Sequence, residues 1–140
     1  MEKQLIEFIN TLDMTFKEIQ QEAGAGISRL TIHQYQYINA VYELGNPTIT
    51  EIAKKLNITK ASVTTGVNKL VDLGYLLKTR SSDDKRVLHV SLTESSGQLI
   101  QAKLAALKEY GQFIEASLSE TEARQFKKIL TKLVNLFKQA

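Results

Sequence analysis

The chain has 140 residues, 43% of them hydrophobic and 24% charged, which is the size and composition of one ordinary globular domain. It has no cysteine, which excludes disulfides, thiolate metal ligands and thiol-based redox sensing. No apolar run approaches the roughly 20 residues that span a bilayer, and the start lacks the basic and apolar stretches of a secretory signal. We therefore expect a cytoplasmic protein that does not associate with membranes.

Positive charge is concentrated in the middle third of the chain. The formal net charge is +3 overall, but residues 48–93 carry eight basic and four acidic side chains, a net charge of +4. The remaining residues carry ten basic and eleven acidic side chains. This distribution is expected if the middle third meets a polyanion, although charge alone leaves a solvated charged face as an alternative.

Helical periodicity predicts four helices outside the middle third, at about residues 3–22, 31–44, 94–117 and 120–138. Gly24 and Gly26 are expected to end the first of them. Ser119 and Glu122 form a capping-box pattern that opens the last one. The first and last helices each carry an apolar stripe along one side, which needs a partner surface.

The middle third begins with a helix-turn-helix pattern at about residues 48–73. Thr48 and Glu51 form another capping-box pattern at the start of a short helix. Thr59 is expected to cap a second helix, which Gly74 ends. Two short helices joined by a turn of a few residues form a helix-turn-helix.

The second helix of this pair has two different faces. Its inward stripe is expected to be Val63, Val67, Leu70 and Val71. The opposite side carries small and hydrogen-bonding residues, namely Ala61, Ser62, Thr64, Thr65, Asn68 and Lys69. Such a face suits the major groove of DNA. A plain solvated face is the alternative, but that is usually rich in Glu and Lys.

A β-hairpin is predicted directly after this helix. Residues 75–80 and 87–93 read as strands, and the loop between them, residues 81–86, is polar and ends in Lys85 and Arg86. A helix-turn-helix followed at once by a basic-tipped hairpin, here at about 75–93, is much more specific than either part alone. The expected architecture is mainly α with a small hairpin wing.

The chain resembles the MarR family (multiple antibiotic resistance regulators) over nearly its whole length. The most diagnostic residues are Arg80, Asp84-Lys85-Arg86 and Val90-Ser91-Leu92-Thr93, together with Thr48–Leu56 and Gly74-Tyr75-Leu76. The resemblance implies a single winged-helix domain over residues 1–140, with dimerisation helices at about 3–22 and 94–138. It also implies that Asp84 braces the wing while Arg86 reaches toward the minor groove.

Three positions depart from the family pattern. The family often has arginine where this chain has Thr65, so a strong contact to guanine is absent or replaced. Gly66 lies inside the expected recognition helix at a cost of about 1 kcal/mol relative to alanine, which indicates close packing or a local bend. After Leu92-Thr93 the glycine of the family usually comes one residue earlier than Gly97, so the start of the following helix is expected to differ. None of these departures changes the expected fold.

Double-stranded DNA is the expected partner of this middle third. The expected contact residues are Thr59, Lys60, Ser62, Thr64, Thr65, Asn68, Lys69, Arg80, Lys85 and Arg86. An asparagine amide can pair with adenine through two hydrogen bonds, so Asn68 suggests A·T-rich half-sites. The wing arginine and lysine would contact the backbone or the minor groove.

Features that would support catalysis or metal binding are missing from the sequence. The two histidines, His33 and His89, are far apart, and no phosphate-binding glycine motif is present. We expect no enzyme activity, no cofactor and no closed metal site. A pocket for a small aromatic or amphipathic effector is implied by the resemblance, with Phe16, His33, Tyr37 and Tyr110 as lining residues. The alternative is that these aromatic residues belong to the hydrophobic core and line no pocket.

The sequence therefore predicts a homodimeric DNA-binding regulator that represses transcription from a pseudo-palindromic site and is relieved by a small ligand. A transcriptional activator with the same fold is an alternative that the sequence does not exclude. A helical adaptor that uses the winged-helix module to bind acidic proteins also stays open, and it would lack a steep salt dependence of DNA binding.

Overall fold

The computed structural model of the chain describes residues 1–22 and 30–139. Its elements in chain order are α1 (Glu2–Glu22), α2 (Ile32–Leu44), α3 (Ile49–Leu56), α4 (Lys60–Asp72), β1 (Leu76–Arg80), β2 (Leu88–Leu92), α5 (Glu94–Ser117) and α6 (Glu120–Gln139). The prediction of a mainly helical fold with one small hairpin is confirmed. Gly24 and Gly26, which were expected to end α1, lie outside the described residues.

The chain forms two compact units, residues 1–103 and residues 104–140. The first unit holds a core in which helices α2, α3 and α4, the hairpin and the first turns of α5 bury their apolar faces. The fully buried members of this core include Ile38, Ile52, Val63, Val67, Leu70, Leu76, Val90 and Ile100. The inward stripe predicted for α4 is thus confirmed at three positions, and Val71 packs against the same core partly buried.

Side-chain caps define where the helices of the first unit begin. Thr48 and Glu51 form the predicted capping box, since each side chain accepts a hydrogen bond from the other residue's backbone N–H. Thr31 and Gln34 form a second, unpredicted capping box at the start of α2. Thr59 accepts a hydrogen bond from the Ser62 backbone N–H at 3.2 Å and so caps α4.

The hairpin is held on both sides. Strands β1 and β2 pair antiparallel, with Leu76 opposite Leu92 and Lys78 opposite Val90. On the other edge of β2, Val90 N–H donates to the Pro47 carbonyl at 2.8 Å, and the His89 ring Nδ1 lies 2.9 Å from the Asn46 carbonyl. The segment just before α3 therefore fixes the second strand in place.

Thr93 joins the end of α4 to the start of α5. Its hydroxyl donates to the Gly74 carbonyl at 2.7 Å, and its backbone N–H donates to the Tyr75 carbonyl at 3.3 Å. The same residue exchanges hydrogen bonds with Ser96 in the first turn of α5. Gly74 has a φ of 83°, a conformation that glycine adopts without strain, so the chain can turn directly from α4 into β1.

The second unit contains the end of α5 and the whole of α6. Ser119 and Glu122 form the predicted capping box, and these hydrogen bonds lower the pKa of Glu122. No residue of α6 is buried, and six of its apolar residues are 43% to 77% exposed, namely Ile129, Leu130, Leu133, Val134, Leu136 and Phe137. Within the described residues, no helix is long and apolar enough to cross a membrane.

Helix α1 also exposes apolar residues. Leu5, Ile6, Phe8 and Ile9 are each about half exposed. A stripe of this kind on a helix is normally covered by another surface.

Gly66 allows α2 and α4 to approach closely. A Cβ atom at this position would lie 2.7 Å from two atoms of the Tyr37 ring, which is closer than real Cβ atoms come. The Tyr37 hydroxyl also donates to the Ser62 carbonyl at 3.3 Å. The close packing that the sequence suggested for Gly66 is therefore present.

We expect Gly66→Ala to destabilise the protein by about 1–3 kcal/mol, because the Tyr37 ring or the helix must shift. Gly97→Ala is the matched control, since it is also helical but a Cβ there meets nothing within 4 Å. That change should stabilise the protein by up to about 1 kcal/mol through helix propensity. Urea unfolding of both variants checks the expectation. Equal effects in the two variants would mean that the Tyr37 contact is unimportant.

Candidate nucleic-acid interface

Helix α4 presents a continuous polar surface to solvent. The residues expected on its outer side are all exposed in the structure, namely Lys60, Ala61, Ser62, Thr64, Thr65, Asn68 and Lys69. The capping residue Thr59 is exposed as well. No acidic side chain occurs in α4 before Asp72, so its first three turns do not repel a polyanion. We call this exposed side of α4 the polar face.

The threonine hydroxyls on the polar face already donate to their own helix. Thr64 Oγ1 donates to the Lys60 carbonyl at 2.9 Å, and Thr65 Oγ1 donates to the Ala61 carbonyl at 3.1 Å. With the hydroxyl proton engaged, each oxygen can still accept a hydrogen bond. At these two positions the polar face therefore offers acceptors and methyl groups.

Asn68 is connected to the hairpin. The Lys78 ammonium on β1 donates to Asn68 Oδ1. Both side chains are exposed, and Lys78 lies opposite the buried Val90, which places it on the hairpin face that packs on the core. The polar face and the hairpin thus share a hydrogen bond at the carboxyl end of α4.

The wing loop is braced by its own side chains. The Asp84 carboxylate accepts hydrogen bonds from the Arg86 backbone N–H at 3.0 Å and from Arg86 Nε at 3.3 Å. Arg80 Nη1 donates to the Lys85 carbonyl at 2.7 Å. The Arg86 side chain is 91% exposed. Asp84 therefore holds the backbone of Arg86 and the Nε of its guanidinium, while the side chain as a whole remains exposed.

The basic side chains of this surface are available for anions. Two ion pairs occur among residues 1–22 and 30–139, Arg86 with Asp84 and Lys55 with Glu43. Neither involves Lys60, Lys69 or Lys85. The described part of the wing and the polar face therefore combines unpaired ammonium groups with hydrogen-bonding side chains, which is the combination needed for phosphates and base edges.

The structure describes three of the four expected effector residues, each within its own unit. His33 is exposed, and Tyr37 lies against α4. Tyr110 belongs to the second unit, where it lines a cavity of about 290 Å³ with Glu109 and Phe113. The side chain of Phe16 lies outside the described residues.

A different crevice is present in the first unit. It has a volume of about 430 Å³ and is lined by Tyr35, Gln36, Asn39, Ala40, Lys55, Leu56 and Lys103. The Lys103 ammonium lies 3.8 Å from the centre of the Tyr35 ring. Burial lowers the pKa of Lys103, and burial together with the Glu43 carboxylate raises the pKa of Tyr35. The crevice thus joins a partly desolvated cation to an aromatic wall.

Some of these residues were missed by sequence reasoning. Lys78 was counted only as part of the basic charge, although the alternation of β1 places it on the same face as Leu76. Tyr35 and Lys103 are 68 positions apart in the sequence, and no local pattern joins them. Among the described residues, no group of three or more His, Asp or Glu could hold a metal ion.

A helix-turn-helix whose second helix exposes a polar face and packs against the following hairpin defines a winged helix-turn-helix protein. The DNA-bound FabT of Streptococcus pneumoniae has this fold, with a TM-score of 0.79, 23% identity and coverage of 99% of both chains. The Staphylococcus aureus MepR–DNA complex gives a TM-score of 0.75 at 21% identity, over 98% of this chain and 99% of that chain. These likenesses establish the fold.

Sequence comparison agrees with the family resemblance. Residues 25–87 match the model of the MarR family. The uncharacterized HTH-type transcriptional regulator YpoP of Bacillus subtilis is 24% identical over 91 residues, which are 64% of this chain and 64% of that protein. The chain therefore matches just under two thirds of the length of this relative. The matched segment contains the helix-turn-helix and the first half of the wing, and it is similar to the MarR family, as the motifs suggested.

Proposed function

We propose that the protein is a sequence-specific DNA-binding transcriptional regulator. The observation that carries this proposal is the polar face of α4, exposed beside a wing whose basic residues are open to solvent. Side chains of this kind on an exposed helix can reach base edges in the major groove, while ammonium and guanidinium groups contact phosphates. The solved DNA complexes of FabT and MepR, which share the fold, support the same reading.

The regulator acts as a homodimer on a pseudo-palindromic operator. Helices α1 and α6 each expose a row of apolar side chains, which a second copy of the chain would cover. A two-fold symmetric dimer presents two copies of α4, so the operator has two inverted half-sites. Their centres are spaced by about 10 bp or a multiple of it, along one face of the duplex.

Selection of bound duplexes from a random pool tests both points. We expect enrichment of sequences with two inverted half-sites at this spacing. Enrichment of a single unpaired half-site would contradict the dimeric mode. If no sequence were enriched and binding to acidic proteins were found in its place, the adaptor function would be the correct one.

Repression by occlusion of the promoter is the proposed outcome of binding. A reporter fused to the target promoter should become more active when the gene for this protein is deleted. Lower activity after deletion would identify an activator on the same fold.

A small amphipathic anion is the proposed effector. Phe16, His33, Tyr37 and Tyr110 remain the residues proposed from the family resemblance. The crevice beside Tyr35 adds a partly buried ammonium group, Lys103, that can pair with a carboxylate next to an aromatic ring.

Benzoate derivatives should raise the melting temperature of the protein, because a ligand that binds only the folded state stabilises it. They should also weaken operator binding. We expect Lys103→Ala to remove the thermal shift. The control Lys108→Ala, which deletes an exposed lysine of the same helix α5, should retain it. The same shift in both variants would place the ligand elsewhere.

A further inference from the structure

The hydrogen bond between Lys78 and Asn68 restricts what Asn68 can offer to a base. Lysine has three donor protons and no acceptor, so the atom of the amide that faces it must be the oxygen. The amide NH2 group then points away from the hairpin. Because the oxygen faces Lys78, the NH2 group is the part of the amide that Asn68 turns to the exposed side of α4.

This arrangement matters because the bases differ in the major groove. Adenine presents one acceptor, N7, beside the N6 amino group, which needs an acceptor from the protein. Guanine presents two acceptors, N7 and O6. An asparagine that turns both its oxygen and its NH2 group to the base suits adenine, whereas one that turns only its NH2 group to the base suits guanine.

We propose that Lys78 is a positioning residue that fixes Asn68 as a hydrogen-bond donor, so that α4 selects guanine over adenine at the base facing Asn68. This inference rests on the proposed DNA-binding function. The sequence of α4 alone suggests that Asn68 contacts adenine. That expectation does not include the hydrogen bond from Lys78 on the hairpin, and the proposed guanine contact takes its place. Lys78 itself contacts no base in this arrangement.

The Lys78–Asn68 bond is expected to persist on DNA. Its donor is charged, and a charge-assisted hydrogen bond is roughly twice as strong as the neutral one that an adenine amino group would form with the same oxygen. A nearby phosphate need not break it, since the ammonium has two further protons to donate. The geometry of β1 also keeps Lys78 close, because its neighbour Leu76 is fully buried.

The two threonines of the polar face provide the opposite character. Thr65 lies three residues before Asn68 and, with its proton donated to the Ala61 carbonyl, offers an acceptor and a methyl group. Such a group suits the amino group of adenine or cytosine, or the methyl of thymine. The polar face therefore presents an acceptor at Thr65 and a donor at Asn68, about one helical turn further along.

The test measures dissociation constants for a selected duplex in which each half-site position carries each of the four base pairs in turn. The position that faces Asn68 is the one where Asn68→Ala abolishes discrimination. At that position, the wild-type protein should bind guanine more tightly than adenine by about tenfold, which is the lower range for one base contact. All measurements are made at one salt concentration.

Lys78→Met removes the donor and keeps the length of the side chain. We expect it to reduce the preference for guanine over adenine about tenfold, since the amide of Asn68 can then turn its oxygen to adenine N6. Lys78→Arg retains a donor and should retain the preference. Lys69→Met is the matched control: it removes the same charge from the end of α4 and should weaken binding to all four duplexes equally.

Several outcomes would overturn the inference. A wild-type preference for adenine at this position would do so, as would an unchanged preference in Lys78→Met. If Asn68→Ala altered discrimination at no position, Asn68 would read no base at all. A wild-type protein that enriches no duplex would instead refute the proposed function, which is a separate result. Circular dichroism and melting temperature verify that each variant is folded.

Discussion

Replacing Leu133 and Phe137 together with aspartate should convert the proposed dimer to a monomer and weaken operator binding by at least about 100-fold. Both side chains lie on the exposed apolar side of α6, and they are 43% and 77% exposed in the single chain. Carboxylates at these positions would have to be buried without partners when two copies associate. Each monomer would then hold only one half-site and would lose the gain from simultaneous engagement.

Light scattering at micromolar concentration and titration of the selected duplex measure the two effects. The matched control is Thr131→Asp with Asn135→Asp, which adds the same charge to the other side of α6. This control should remain dimeric and bind DNA almost as tightly as the wild-type protein. A wild-type chain that is monomeric at that concentration would contradict the proposed assembly.

Removing both basic side chains at the wing tip should flatten the salt dependence of DNA binding. Each phosphate contact contributes about −0.9 to the slope of log affinity against log salt. With two side chains in each of two protomers, the slope of the Lys85→Ala, Arg86→Ala variant should be shallower by about 3 to 4. Its affinity for the selected operator should fall by about 100-fold or more.

The control for this experiment is Lys127→Ala with Lys128→Ala, which removes two cations from α6. It should change the net charge equally but leave the slope nearly as it was. A slope that is unchanged in the wing variant would show that the wing does not touch DNA. A shallower slope in both variants would indicate a general effect of net charge and not a contact.

The boundaries of the fold could be predicted because they depend on local chemistry. Thr48, Thr59 and Ser119 each cap a helix through a hydrogen bond to the residue three positions later, so the pattern is visible in the sequence. The buried stripe of α4 followed from helical periodicity for the same reason. The capping box at Thr31 and Gln34 has the same kind of local signal, but the sequence analysis did not predict it.

The orientation of groups within the site could not be predicted in this way. The Lys78–Asn68 bond joins a strand to a helix, and its existence depends on how the hairpin packs. The closeness of Gly66 to the Tyr37 ring depends on how near α2 comes to α4. The sequence shows only that α4 contains a glycine, a residue that is unfavourable inside a helix. The location of the polar face could therefore be predicted from the sequence. Which group of Asn68 faces outward, the donor or the acceptor, depends on tertiary structure.

Thr93 has a mechanical consequence for the recognition helix. Because its hydroxyl and backbone bind the turn at Gly74 and Tyr75 while its neighbour Ser96 lies in α5, no free hinge separates the end of α4 from the first turn of α5. We therefore expect a tilt of that first turn to move the end of α4 with it. The angle at which α4 would meet a groove is accordingly expected to depend on the hydrogen bonds of Thr93 as well as on the side chains of the polar face.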